Sequence, residues 1–291
     1  MASSKEILER NWIALQAKVQ EKKIVEAFEL FRKEGIEPIL IKGWAIARMY
    51  PAGKFRPFAD IDLGVESKFY EQAKIFLETE TAKRLNIDLH AGLRHLDTVE
   101  WQDLFDNSRL VKLEESNIRV LRAEDHLRVL CVHWLTDGGA HKERLWDVFY
   151  GFEYNLSKFD WDRCLQTVKE NRRRWIICTI GLAEKYLSVS LAGTPFEFEK
   201  IDLPPWLIKA VEKEWASDIP LKPLQTCFND RKEFFRQIRK RFPPNPLQAT
   251  IEMEGSFDKK TRVFYQIGNV FTRFFPAFSR IWKILSKGRI S

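Results

Sequence analysis

The chain has 291 residues, 45% of them apolar, so it can bury a sizeable core and disorder is not the expectation. No run of about 18 apolar residues occurs, which predicts no membrane-spanning helix, and the charged positions within Met1 to Arg10 do not read as a secretory leader, so a cytoplasmic location is expected. The net charge of +7 is uneven: residues 231–291 hold 14 Lys/Arg against 4 Asp/Glu, an excess of 10, which predicts an anionic neighbour there such as nucleic acid, phosphate, lipid or an acidic protein face.

In chain order, residues 4–34 predict a helix. Ile7, Trp12, Leu15, Val19, Ile24, Ala27, Phe28 and Phe31 recur at helical spacing, and Gly35 follows as a stop. Residues 38–41 form a short β-rich run, followed by Lys42-Gly43. Residues 44–50 read as a short helix that stops before Pro51. After a loop at 51–57, Phe58 to Val65 reads as a strand, 67–82 as an amphipathic helix, and 85–90 as a third strand. Two more short β runs are expected at 109–113 and 118–121. From Ala123 onward the pattern is helical, at 123–136, 142–155, 160–170 and 173–191, with Pro-rich breaks at 203–206 and 242–246. The plan is α+β: a small mixed sheet with flanking helices over 1–122, then a mostly helical domain over 123–291. Cys131, Cys164, Cys178 and Cys227 are scattered without a C-x-x-C pair, which predicts buried free thiols.

The chemistry concentrates between residues 36 and 90. Asp60 and Asp62 lie two apart on a predicted strand, so alternation puts both carboxylates on one face. Like charges held that close need compensation, and a hard divalent cation such as Mg²⁺ provides it through oxygen ligands. Asp88 and His90 share one face of the next strand. If the two strands pair, three carboxylates converge as two-metal phosphoryl or nucleotidyl transfer requires, with Asp60, Asp62 and Asp88 as metal ligands. Upstream, Gly43 lets a phosphate approach the backbone, the amides that follow (from Trp44 on) favour an anion, and Lys42 and Arg56 add positive charge. His90 taken alone is more often a hydrogen-bonded structural histidine than a ligand.

The stretches Leu40 to Pro51, Arg56 to Leu63 and Ile87 to His90 together resemble the uncharacterised nucleotidyltransferase family of the DNA polymerase beta superfamily. The likeness continues through Leu127 to Asp147, where His133, His141, Arg144, Leu145, Trp146 and Asp147 echo a His-rich and Arg-Leu-x-x-Asp pattern, so it covers about half of the chain. The resemblance implies a mixed sheet with flanking helices, two Mg²⁺ (or Mn²⁺) ions and an NTP as donor. It implies that Gly43 matches the glycine of the superfamily's Gly-Ser turn, that Asp60 and Asp62 are its metal-binding pair, and that Asp88 is its third acid. His90 and Arg144 are supporting candidates. Position 44 departs from the superfamily, holding Trp where many members have a small residue.

Two features stand outside that set. His126, His133 and Asp137 fall roughly on one helical face; polar residues or core histidines are favoured over a second metal site. Residues 262–283 interleave Phe264, Tyr265, Phe271, Phe274, Phe275, Phe278 and Trp282 with Arg262, Arg273, Arg280 and Lys283. The expectation is a helix hairpin packing its aromatics on the domain, ahead of membrane or nucleic-acid contact. The functional expectation is a metal-dependent nucleotidyltransferase acting on the hydroxyl of an unknown acceptor, be it a small molecule, peptide, protein or RNA. The alternatives are γ-phosphoryl transfer in the same cleft, or a non-catalytic module that binds nucleic acid or a partner.

Overall fold

A computed structural model of the chain describes residues 4–93, 99–227 and 230–272. The elements run α1 (Ser4–Lys33), β1 (Ile39–Leu40), α2 (Trp44–Ala47), β2 (Ile61–Val65), α3 (Tyr70–Leu77), α4 (Glu80–Lys83), β3 (Ile87–Ala91), α5 (Trp101–Asn107), β4 (Arg109–Leu113) and β5 (Ser116–Val120). Helices follow: α6 (Ala123–Thr136), α7 (Leu145–Glu153), α8 (Trp161–Gln166), α9 (Glu170–Leu187), α10 (Pro205–Trp215), α11 (Arg231–Arg241) and α12 (Pro246–Glu252). The expected mixed sheet and helical continuation are both present.

The chain divides into two compact units. One gathers residues 1–130, 146–169 and 189–198; the other gathers 131–145, 170–188 and 199–291. Each unit collects several segments, whereas the sequence suggested a single cut near residue 122. The sheet unit recruits later chain because α7 is apolar there: Phe149 and Tyr150 pack with Ile46, Met49 and Leu130.

Within the sheet unit the strand order is β3-β2-β1-β5-β4. β1 runs antiparallel to β2 and parallel to β5, and β2 runs parallel to β3. The parallel β2–β3 pair needs a crossover, which α3 and α4 supply. Thr79 caps α4 by accepting from the Ala82 amide, and that cap splits the single helix expected at 67–82. One sheet face packs Leu40, Ile61, Leu63, Val65, Ile118 and Val120 against Ile24, Ala27, Phe28 and Phe31 of α1. The buried part of α1 starts at Ile24; Trp12, Leu15 and Val19 of the same periodic run are exposed. The other face holds Ile39 and Ile41 with Leu93, Leu104, Leu121 and Val129. Among these, Leu104 belongs to α5, a helix that the sequence pattern did not suggest.

The second unit ties its helices with tryptophan N–H groups, which need partners when buried. Trp175 donates to the Gly255 carbonyl at 2.8 Å, Trp206 to Asp258 at 2.7 Å and Trp215 to Gly139 at 2.7 Å. All four cysteines are buried and free, as expected. Among the described residues no helix is long and apolar enough to cross a membrane. Of the aromatics expected to pack at 262–283, Tyr265 is half-buried, but Phe264 and Phe271 are exposed. Phe274, Phe275, Phe278 and Trp282 lie outside the described residues.

Candidate active site

The site grows from strand register. In the parallel β2–β3 ladder Asp62 pairs with Asp88 and Gly64 with His90, so these four positions share a face, while Ile61, Leu63 and Val65 fill the core on the other. A side chain at Gly64 would meet Leu93 Cδ2 at 2.9 Å and Ile41 Cδ1 at 3.3 Å, so the glycine lets these two apolar side chains pack close against β2. Asp62 is nearly buried, and Asp88 is exposed.

His90 bridges the two acids, with Nε2 lying 3.3 Å from Asp62 Oδ1 and 3.4 Å from Asp88 Oδ2. Lys42 Nζ approaches Asp62 Oδ1 at 2.8 Å. Burial alone would raise the Asp62 carboxyl, but the His90 hydrogen bond and the Lys42 ammonium outweigh it and hold the group below the usual carboxylate range. Asp62 is therefore anionic at neutral pH. One ligand atom from each of Asp62, Asp88 and His90 falls within 4.8 Å of the others, and among the described residues no other such trio occurs. An anionic, nearly buried oxygen beside a second carboxylate and a ring nitrogen suits a divalent cation, and the nitrogen favours Mn²⁺ over the strictly oxygen-seeking Mg²⁺.

Asp60 stands apart from this trio. β2 begins at Ile61, so strand alternation stops one residue short of Asp60, whose side chain is exposed. Its backbone carbonyl lies close to the neighbouring turn. Gly43 adopts φ 63°, ψ −118°, a conformation closed to side-chain-bearing residues, and a Cβ there would lie 3.0 Å from the Asp60 carbonyl oxygen. The turn's later amides are used internally: Ala45 donates to Lys42, and Ile46 and Ala47 to Gly43. The Trp44 indole packs in the core, so any contact it makes with a phosphate is through its backbone.

Arg56, expected to meet phosphate, is instead clamped by a residue 91 positions away. Its Nε donates to Asp147 Oδ1 at 2.6 Å and its Nη2 to Asp147 Oδ2 at 2.8 Å. Tyr50 Oη also donates to Asp147 Oδ1, at 2.6 Å. Arg56 Nη1 lies 3.5 Å from the Gly43 carbonyl, so this buried pair braces the glycine turn. Beside it, Lys54 sits 4.5 Å above the Trp146 ring, and Trp146 stacks on Tyr150 with centroids 5.5 Å apart. The sequence pattern flagged Asp147 as part of a motif echo and as a neighbour of Arg144 three residues away; the partners seen here, Arg56 and Tyr50, are tertiary. Arg144 is exposed and belongs to the other unit.

The suggested His126–His133–Asp137 grouping does not assemble. His133 pairs with Asp137 at 3.4 Å in the second unit, whereas His126 is fully buried in the sheet unit. The His126 ring lies against the Ile41 backbone, and neither nitrogen makes a well-formed hydrogen bond. Burial, then the charges of Arg48 and Arg56, push its pKa down from 6.5 to about 3, against the pull of Asp147. The unfolded chain therefore binds a proton that the folded chain refuses. The stabilisation is complete above the unfolded value of 6.5 and falls as pH drops toward 3. Between pH 7 and 5 the protein is expected to lose about 2 kcal/mol of stability, since each pH unit below 6.5 is worth about 1.4 kcal/mol. Denaturant melts of wild type and His126→Asn at both pH values test this, because the variant's curve should be flatter; identical slopes would remove His126 from the account.

A family model described as an uncharacterised nucleotidyltransferase matches residues 8–188, more than half of the chain. No curated protein and no solved structure matches it.

Proposed function

The chain belongs to this uncharacterised nucleotidyltransferase family, and on that premise we propose that it transfers a nucleoside monophosphate from an NTP to an acceptor hydroxyl. The observation that carries the reading is the in-register pairing that sets Asp62 beside Asp88 with His90 across both. Asp62, Asp88 and the neighbouring Asp60 would hold Mg²⁺ or Mn²⁺, which supplies charge neutralisation for the triphosphate and its leaving group.

The protein's own groups divide the remaining work. The Gly43 turn would meet a phosphate through its backbone amides, while the missing Cβ makes room for the Asp60 carbonyl. Lys42, already within reach of the site, adds a positive charge for the phosphate oxygens. Arg56 holds the turn in place through Asp147 and does not itself bind the donor. Asp88 and His90 lie on the exposed side of the trio, where an acceptor hydroxyl enters, and they direct its oxygen and receive its proton. The new bond joins that oxygen to the α-phosphorus, the bond from the α-phosphorus to the bridging oxygen breaks, and pyrophosphate leaves.

Incubation with each NTP and Mg²⁺ or Mn²⁺, following pyrophosphate release and label transfer to candidate acceptors, tests this reading. Pyrophosphate supports it, nucleoside diphosphate would move the chemistry to the γ-phosphate, and the absence of either across all four NTPs would count for a binding module.

Asp88→Asn is expected to lower kcat by about 10²-fold while triphosphate affinity stays within about threefold, because directing the acceptor hydroxyl matters in the transition state. A raised KM with intact kcat would make Asp88 a positioning residue.

A further inference from the structure

We propose that the second unit carries a binding groove for single-stranded nucleic acid between α10, the C-terminal end of α11 and residues 261–266. This locates an anionic partner on folded helices, and it does not depend on the transfer chemistry proposed above. The groove has a volume of about 640 Å³. Lys209, Lys213 and Arg239 line it, and among the described residues none of the three has a carboxylate at ion-pair distance. The single acid on the lining, Glu214, is neutralised by Lys240 at 2.8 Å.

Lys209 and Lys213 are four residues apart on α10, which puts them on one helix face about 6 Å apart along the axis. A row of cations at that spacing suits consecutive phosphates on an extended strand better than one compact anion. Phe242, also on the lining, is 45% exposed, whereas the Trp206 ring is already covered by the Arg262 guanidinium at 4.7 Å and by Phe257 at 5.2 Å. A row of cations without carboxylate partners along a groove is the chemistry of sequence-tolerant strand binding, in which successive phosphates meet the charges. The chain's own C-terminal residues are a poor occupant, because 273–291 carry five Lys/Arg and no Asp/Glu.

The test is fluorescence anisotropy of a labelled oligoribonucleotide with the full chain across a salt series. Wild type should bind with affinity that falls steeply with salt. Lys209→Ala/Lys213→Ala/Arg239→Ala should weaken binding at least tenfold and flatten the log–log salt slope by about 2, since each lost phosphate contact removes roughly 0.7 from it. These three side chains are exposed, so the variant should melt with wild type. Lys74→Ala/Lys83→Ala/Lys112→Ala, an equal loss of exposed charge from the sheet unit, should leave affinity within twofold. Equal affinity of wild type and the groove variant would overturn the proposal. So would equal losses in both triple variants, or binding lost on neutralising Arg273, Arg280 and Lys283 but kept in the groove variant. Salt-sensitive binding to anionic vesicles without oligonucleotide binding would likewise overturn it in favour of a lipid surface.

Discussion

Asp62→Asn is expected to reduce metal-dependent NTP turnover on the order of 10³-fold, the largest effect of any single change in the trio. The substitution preserves shape and removes one negative charge. In the folded protein that charge is secured twice over, by the His90 hydrogen bond and by Lys42 at 2.8 Å. It lies on a nearly buried strand position, where water cannot replace it. A bound cation contributes several kcal/mol to transition-state stabilisation, and each 1.36 kcal/mol is tenfold in rate, so loss of its most constrained ligand reaches that order. The fold should survive. Lys42 keeps some contact with solvent and can turn outward, which limits the stability loss to the roughly 1.5–3 kcal/mol of a charge-assisted hydrogen bond. Calorimetric titration with metal and NTP, run beside a thermal melt, separates the two. Unchanged triphosphate affinity and turnover in a folded variant would take the metal away from Asp62. Asp60→Ala is expected to act in the same direction, by affinity, through a carboxylate that faces solvent.

What the sequence makes legible follows from period and ends where tertiary contact begins. Alternation along 58–65 and 85–90 is enough to put Asp62 on a polar face and Ile61 and Leu63 in the core, and the structure has that arrangement. The same alternation says nothing about Asp60, because the ladder starts at Ile61 and register holds only for paired residues. That His90 spans both acids depends on β2 and β3 being parallel and in step, which no pattern in either strand encodes. Trp44 beside a glycine turn reads as a nucleotide contact, yet a large apolar ring next to a sheet is drawn into the core first. The resemblance carried the family assignment further than periodicity could, since strand, glycine turn, D-x-D and a later acid are spaced by function and not by burial.

Asp147→Ala is expected to destabilise the sheet unit by about 3–5 kcal/mol. The carboxylate accepts two hydrogen bonds from Arg56 and one from Tyr50, and both charged side chains are less than 10% exposed. Removing the acid leaves a buried guanidinium unpaired. Arg48 and His126 lie close enough to interact with that pocket electrostatically, so the stranded positive charge gains no relief from its neighbours. Replacing both partners by apolar residues, as in Arg56→Met/Asp147→Leu, should recover most of the loss, because desolvation of two charges is removed together with their attraction. Function should not recover with stability. Arg56 Nη1 sits 3.5 Å from the Gly43 carbonyl, so the double variant restores packing without restoring the brace on the phosphate turn, and KM for the triphosphate should rise. Chemical denaturation of the three proteins, paired with KM measurements, tests both halves. A loss below about 1 kcal/mol in Asp147→Ala would show that Arg56 reaches water or another acid once released. A double variant with wild-type KM would show that the turn holds its shape without the Arg56 brace.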